Sequence, residues 1–293
     1  MKKILLFAKN GQLGWELQRS LAPLGEVIAL DYPQVDFSQP EALRQVVREL
    51  KPDLIVNPAA YTAVDKAEAE PEKAFLINRD SVRVLAEESR RLRAPLVHYS
   101  TDYVFDGRKG SPYVESDTTH PLNVYGQSKL EGDQAVVESG TAAVILRTSW
   151  VYSNRVGGFV NKVLQWARQQ ETLHIVDDQI SGPTSARQLA EVTALLLAKS
   201  GPDAYDWWLE KGGVYHCAGD GACSRFEWAQ RILALDPRAE EQKVKVLLPA
   251  KSADFPVPAD RPLVSVLNCD RLEQVFGLRL PPWEQALQLV LED

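Results

Sequence analysis

The chain has 293 residues, 45% hydrophobic and 25% charged, a balance that suits a globular protein with a sizeable core. The net charge is −7 and no lysine/arginine block occurs, so nucleic acid and an anionic membrane are poor partners; any phosphate on a ligand must be met by local donors. The three cysteines, Cys217, Cys223 and Cys269, form neither a disulfide framework nor a CxxC site.

Met1-Lys2-Lys3 followed by apolar residues mimics the start of an export signal. The run from Ile4 to Ala8 is only five residues long before Lys9 and Asn10, too short for an export core. No run reaches the roughly 18 apolar residues of a membrane span, and the expected location is the cytoplasm.

Ile4–Ala8 is continuously apolar, as a parallel strand covered on both faces would be. Lys9–Gly14 then makes a tight turn, Leu13–Leu24 has helical spacing, and Val27–Leu30 is a second strand ending in Asp31. Strand, glycine turn, helix, strand and acidic end together describe a dinucleotide-binding unit. Gly11 and Gly14 let the backbone approach a pyrophosphate and the helix lie close to the strand. The helix start then offers free N–H groups to the phosphates. The spacing is Ala8-x-x-Gly11-x-x-Gly14, with alanine where a first glycine is expected.

Val35–Ser38 leads into a helix over Pro40–Leu50, and Asp53–Ala60 is a third strand with a small-residue exit. Ala59 and Ala60 leave room either for a ligand or for close helix packing. A long helix spans Pro71–Leu92. Leu96–Ser100 is the fourth strand, with Thr101 just past its end and His98 inside it as a packing residue. Arg108–Pro121 is a surface loop. A helix over Asn123–Glu138 carries Tyr125 and Lys129, and Ala143–Arg147 is the next strand, followed by Trp150 as either core or ligand platform.

Beyond Val151 the alternation loosens. Helices are expected at Phe159–Gln169, Ser185–Leu197, Ser224–Leu235, Asp270–Phe276 and Pro282–Leu291. Strands are expected at Leu173–Val176, Val214–Cys217 and Val244–Leu248. Ser224 with Glu227 reads as a capping box. Gly201–Gly213 reads as a variable connection and Lys251–Pro262 as a loop. The fold class is α/β: a Rossmann-type doubly wound parallel sheet over residues 1–150 and a smaller α/β substrate-binding domain over 151–293, with short segments near 170–180 and 213–218 rejoining the first domain.

Tyr125 and Lys129 are four apart, so on a helix they stack on one face. An ammonium near a phenol favours the phenolate and lowers the tyrosine pKa. Such a tyrosine can give a proton to a carbonyl oxygen as hydride reaches the carbon, with Thr101 hydrogen-bonded to the same oxygen.

The blocks Gly11–Leu17, Val56–Glu68, His98–Phe105, Leu122–Gly126, Arg147–Tyr152, Asp178-Gln179 and Gly182–Thr184 together resemble the extended short-chain dehydrogenase/reductases that act on nucleotide sugars. The resemblance covers nearly the whole chain. It implies reduction of the C4 ketone of a dTDP-sugar, dTDP-4-dehydro-β-L-rhamnose, with NADPH or NADH. Thr101, Tyr125 and Lys129 would be the catalytic set. Gly11, Gln12, Leu13, Asp31, Asp36, Phe37, Ala60, Tyr61, Thr62, Tyr125 and Lys129 would contact the cofactor, and Thr101, Asp102 and Trp150 the substrate. It further allows a homodimer and Mg2+, for which no ligands can be placed. Pro58 departs from the family pattern. Asp31 disfavours a 2'-phosphate, whereas Lys9 attracts one. Two other activities use this scaffold: a nucleotide-sugar epimerase or dehydratase, and a non-catalytic subunit of the methionine adenosyltransferase β type. Retention of Thr101, Tyr125 and Lys129 argues for catalysis.

Overall fold

Ile4, Leu5 and Leu6 are all buried, as a strand covered on both faces requires. They belong to β1 (Lys3–Leu6), which pairs in parallel with β2 (Glu26–Ala29) on one side and β3 (Leu54–Asn57) on the other. β4 (Leu96–Thr101) and β5 (Ala143–Thr148) extend the sheet beyond β3, and Gly213–His216 closes it as a sixth parallel strand. The order is Gly213–His216, β5, β4, β3, β1, β2. The chain therefore reverses its direction of winding between β1 and β3, where a crevice opens at the carboxyl ends of the strands. This computed structural model describes residues 2–155, 157–201 and 204–292.

Helices cover both faces. α1 (Gln12–Leu21) buries Leu13, Leu17 and Leu21 in one core together with Leu189 and Leu196 of the helix Ala186–Lys199. α2 (Pro40–Leu50) and the helix Ser81–Leu92 fill the other face with Leu43, Val47, Val82 and Leu85. A separate core, including Val160, Leu173, Trp228 and Leu287, builds the second lobe. Among the described residues no helix is long and apolar enough to cross a membrane.

Four expectations need correction. The segment near 170–180 does not rejoin the large sheet: Thr172–Val176 pairs in parallel with Val246–Ala250. Leu173 and Ile175 are buried while Thr172 and His174 are exposed, a half-buried alternation that a sheet covered on both faces cannot accept. The expected connection 201–213 contains a helix, Ala204–Lys211, whose Tyr205 and Trp208 sink into the core of the large sheet. The long helix over 71–92 is interrupted by a π-turn at Leu76–Asp80. A short helix, Val64–Ala69, was not anticipated.

Glu88 ties two helices on one face of the large sheet. It is 1% exposed, and it accepts hydrogen bonds from Arg44 and Arg48 of α2 and from Arg91 of its own helix. Burial opposes ionisation, but the bonds from Arg48, Arg91 and Arg44 win and hold the carboxyl at about 2. A depressed carboxyl pKa contributes stability above its ordinary value of 4.5 that is lost as pH falls toward 2. Glu88→Gln is expected to cost about 2 kcal/mol at pH 7, between the values for exposed and fully buried ion pairs. Urea titrations should show that deficit shrinking between pH 4.5 and pH 2.

Candidate active site

The glycine turn sits at the crevice. Ala8 has φ +50°, the left-handed conformation that its family position normally gives to glycine, and its carbonyl accepts from Gly11 N–H at 3.0 Å. A Cβ on Gly14 would lie 2.0 Å from the Ala8 carbonyl oxygen, so α1 can approach β1 only without a side chain there. The helix cap, Gly11, brings no side chain to satisfy the first N–H groups of α1. Those donors and the partial positive charge of the helix start suit a pyrophosphate.

A cleft of about 400 Å3 joins this turn to the end of β4 and to the helix Val124–Ser139. Gly11, Gln12, Leu13, Ala60, Thr62, Thr101, Asp102, Tyr125, Lys129 and Trp150 all line it. The helix is fixed at its start by two acceptors: Asn123 Oδ1 takes Gly126 N–H at 2.7 Å, and Glu68 Oε1 takes Val124 N–H at 2.8 Å. A Cβ on Gly126 would lie 2.3 Å from the Tyr103 carbonyl oxygen, so this glycine sets how closely Tyr125 approaches the strand end. The Tyr125 ring meets Tyr103 edge to face at 5.7 Å.

The expected effect of Lys129 on Tyr125 is not what this geometry gives. Burial raises the Tyr125 phenol above its usual value, the neighbouring Thr101 hydroxyl opposes that, and Lys129 does not offset it. Lys129 Nζ instead donates to the Tyr99 carbonyl at 2.7 Å and lies 3.3 Å from His98 Nε2. Burial lowers Lys129 to about 8, with Asp133 opposing. His98 is buried as a strand-packing residue would be, but it also touches Lys129.

The second lobe supplies the other wall. Trp150, with φ +43°, stacks on Trp228 at 5.5 Å, and the Arg225 guanidinium lies 3.6 Å from its ring centroid. Asp102 is buried, with its carboxyl bonded to the hydroxyls of Thr101 (3.1 Å), Ser265 (2.5 Å) and Ser181 (3.4 Å). Burial pushes it up to about 6 against those bonds. Phe159, Trp166, Phe255, Arg225 and Arg261 line an adjoining cavity of about 470 Å3. Arg261 is anchored by Asp65 Oδ2 at 2.8 Å, which joins the loop after Lys251 to the first lobe. A larger cavity, about 710 Å3, shares Phe255, Gln179 and Arg261 but contains neither Tyr125 nor Lys129, so size does not mark the reacting centre.

The remaining predicted residues divide. Asp31 sits at the rim, accepting from Asn10 N–H at 2.9 Å and Tyr32 N–H at 2.8 Å, while Lys9 Nζ bonds Gln34. Asp36 accepts from Ser38 N–H and Oγ, and the Phe37 ring is in the core against Phe7. Tyr61 does not line the cleft: its hydroxyl donates to Glu70 at 3.0 Å, and its backbone is gripped on both sides by Asn78. Arg225, Arg261 and Asn78 belong to no motif. Only the capping box at Ser224 and Glu227, which is present, marks the helix start where Arg225 lies. Among the described residues no group of three or more His, Cys, Asp or Glu could hold a metal.

A glycine turn at the switch point of a parallel sheet, facing Thr101, Tyr125 and Lys129 across one cleft, places the protein among the extended short-chain dehydrogenase/reductases. The chain belongs to the RmlD substrate binding domain family, which matches residues 1–293. It is 43% identical over 294 residues to dTDP-4-dehydrorhamnose reductase of Burkholderia thailandensis, covering 99% of this chain and 98% of that protein. It is 41% identical over 297 residues to the reductase of the same name from Escherichia coli K12, covering 99% and 97%. The crystal structure of dTDP-4-dehydrorhamnose reductase from Bacillus anthracis in complex with NADP matches with a TM-score of 0.89 at 34% identity, over 99% of each chain. UDP-glucose 4-epimerase from Thermotoga maritima, 18% identical at a TM-score of 0.79, shares the fold.

Gly126→Ala is expected to push the helix start off the Tyr103 carbonyl and to cost about 1–3 kcal/mol in a urea titration, the range for overpacking.

Proposed function

We propose that the protein reduces the C4 ketone of dTDP-4-dehydro-β-L-rhamnose to give dTDP-L-rhamnose, with Tyr125 as the proton donor. One observation carries this reading: Thr101, Tyr125 and Lys129 share a cleft with an uncapped glycine turn, in a chain whose full-length relatives bear the name dTDP-4-dehydrorhamnose reductase.

NADPH or NADH, when bound, supplies the hydride. Gly11, Gln12 and Leu13 would hold its pyrophosphate, Asp31 the adenosine ribose, and Asp36 with the Phe37 backbone the adenine edge. Ala60 and Thr62 would flank the middle of the cofactor, and Tyr61 would support that wall through its backbone alone. Asp31 favours NADH. Lys9, bonded only to the exposed Gln34, can turn toward a 2'-phosphate, and the NADP complex of the Bacillus anthracis relative agrees with that use.

Tyr125 keeps its proton until it is needed, because burial disfavours the phenolate. The alkoxide that forms at C4 as hydride arrives is a far stronger base than a phenolate. Transfer is therefore downhill once hydride has begun to move. Thr101 now donates to Asp102 Oδ1, so its hydrogen must swing to the ketone oxygen when substrate binds. Lys129 would hold the nicotinamide ribose and offset the negative charge left on Tyr125. Trp150 offers the sugar an aromatic wall. Arg225 and Arg261, beside Phe159 and Phe255, offer a diphosphate two cations and a base two rings. A reaction that consumes NAD(P)H is expected in the cytoplasm.

The test of the reading is NADPH and NADH oxidation by purified protein given enzymatically made dTDP-4-dehydrorhamnose, with other 4-keto sugar nucleotides as controls. Net cofactor consumption is expected; cofactor that stays bound and is never consumed would point to an epimerase instead. Tyr125→Phe should cut kcat by roughly 100-fold or more while leaving cofactor Kd within about twofold. Because Lys129 acts as an ammonium and burial lowers it to about 8, kcat should fall as pH rises through that value.

A further inference from the structure

The reduction above makes no use of two buried titratable groups, Asp133 and His98. Asp133 lies one helical turn beyond Lys129 on the same face. Its Oδ2 accepts from Ser100 Oγ at 2.9 Å and Arg147 Nε at 3.1 Å, whereas its Oδ1 is buried without a hydrogen-bond partner. That free oxygen is 4.0 Å from His98 Nε2, the atom that lies 3.3 Å from Lys129 Nζ. Asn57 Oδ1 accepts from Ala59 N–H at 3.2 Å, and the Asn57 amide nitrogen lies 3.3 Å from His98 Nδ1. Burial first, and then the Lys129 charge, hold His98 well below its usual value, so the ring is a neutral spacer between cation and anion.

A buried carboxylate with one oxygen unbonded is costly unless a nearby charge uses it. The groups facing Lys129 are Tyr125 and Asp133 from its own helix, His98 from β4, Asp102 just past β4, and Arg147 from β5 across the carboxylate. Asp133 is the anion that supports the ammonium against burial, and Arg147 competes for it.

We propose that Asp133 is a positioning residue acting through Lys129: its buried carboxylate keeps the lysine charged and seated on the Tyr99 carbonyl, and the Arg147 cation on the other oxygen offsets part of that support. The kinetic half of this idea rests on the reductase reading, but the electrostatic half does not. Two readouts separate them. One is the titration of Lys129, followed by NMR in protein carrying 13Cε-lysine and assigned with Lys129→Met. The other is the alkaline limb of kcat at saturating cofactor.

Asp133→Asn should move both midpoints down by about one pH unit, and Arg147→Met should move both up by about half a unit or more. Loss of packing alone would lower activity in both variants at every pH without moving the midpoints in opposite directions. If Asp133→Asn does not fold, Arg147→Met still strips the competing cation from the carboxylate, and the lysine midpoint must rise in it. A Lys129 midpoint that stays within about 0.2 units in the folded variants overturns the proposal. A midpoint that moves as stated in a protein that does not consume cofactor would sustain the electrostatic role and refute the reductase reading.

Discussion

A lysine with almost no exposed surface must spend its ammonium on fixed acceptors, and Lys129 spends one hydrogen on the Tyr99 carbonyl at 2.7 Å. That bond ties the helix Val124–Ser139 to β4 at the place where β4 delivers Thr101. It fixes the lysine beneath the cleft, with His98 Nε2 3.3 Å from the same ammonium. It also explains why Tyr125 is not acidified in the free protein: the cation that would help it is held on the strand, and burial acts on the phenol instead.

Backbone approach, more than side-chain contact, sets the spacing of the site. Cβ atoms on Gly14, Gly126 and Gly132 would come within 2.0, 2.3 and 2.1 Å of carbonyl oxygens on Ala8, Tyr103 and Asn78. The first brings α1 to the glycine turn, the second brings Tyr125 to the strand end, and the third packs the helix Val124–Ser139 against the π-turn Leu76–Asp80. π-turns are rare inside helices and recur at functional sites. Here the turn carries Asn78, which grips the backbone of Tyr61 from both sides and donates to Ser128 Oγ at 2.9 Å. The exit of β3 and the helix Val124–Ser139 are thereby held as one unit.

Much of this was legible in the sequence. The continuous apolar strands predicted a parallel sheet, the glycine turn located its crevice, and the four-residue spacing put Tyr125 and Lys129 on one helix face that lines the cleft. What escaped depends on distance along the chain. Arg225 and Arg261 reach the cavity beside Trp150 from segments that no local pattern connects to it. Asp102 reads as a substrate contact, but its carboxyl is tied to Ser181 and Ser265 from the second lobe. Tyr61 sits in a matching motif, yet its ring turns out to Glu70. The tyrosine pKa failed for a different reason: the four-residue spacing fixes which face two groups share, but not which acceptor the longer side chain selects.

The central claim is that a ketone oxygen meets Tyr125 and Thr101 above a lysine that stays on the Tyr99 carbonyl. The most direct measurement is a crystal structure of the complex with NADP+ and dTDP-L-rhamnose. The C4 oxygen should lie about 3 Å from both the Tyr125 and Thr101 hydroxyls, with Lys129 Nζ bonded at once to Tyr99 O and to the nicotinamide ribose. A complex in which the C4 oxygen is bound elsewhere, with Tyr125 facing away from it, would contradict the assignment.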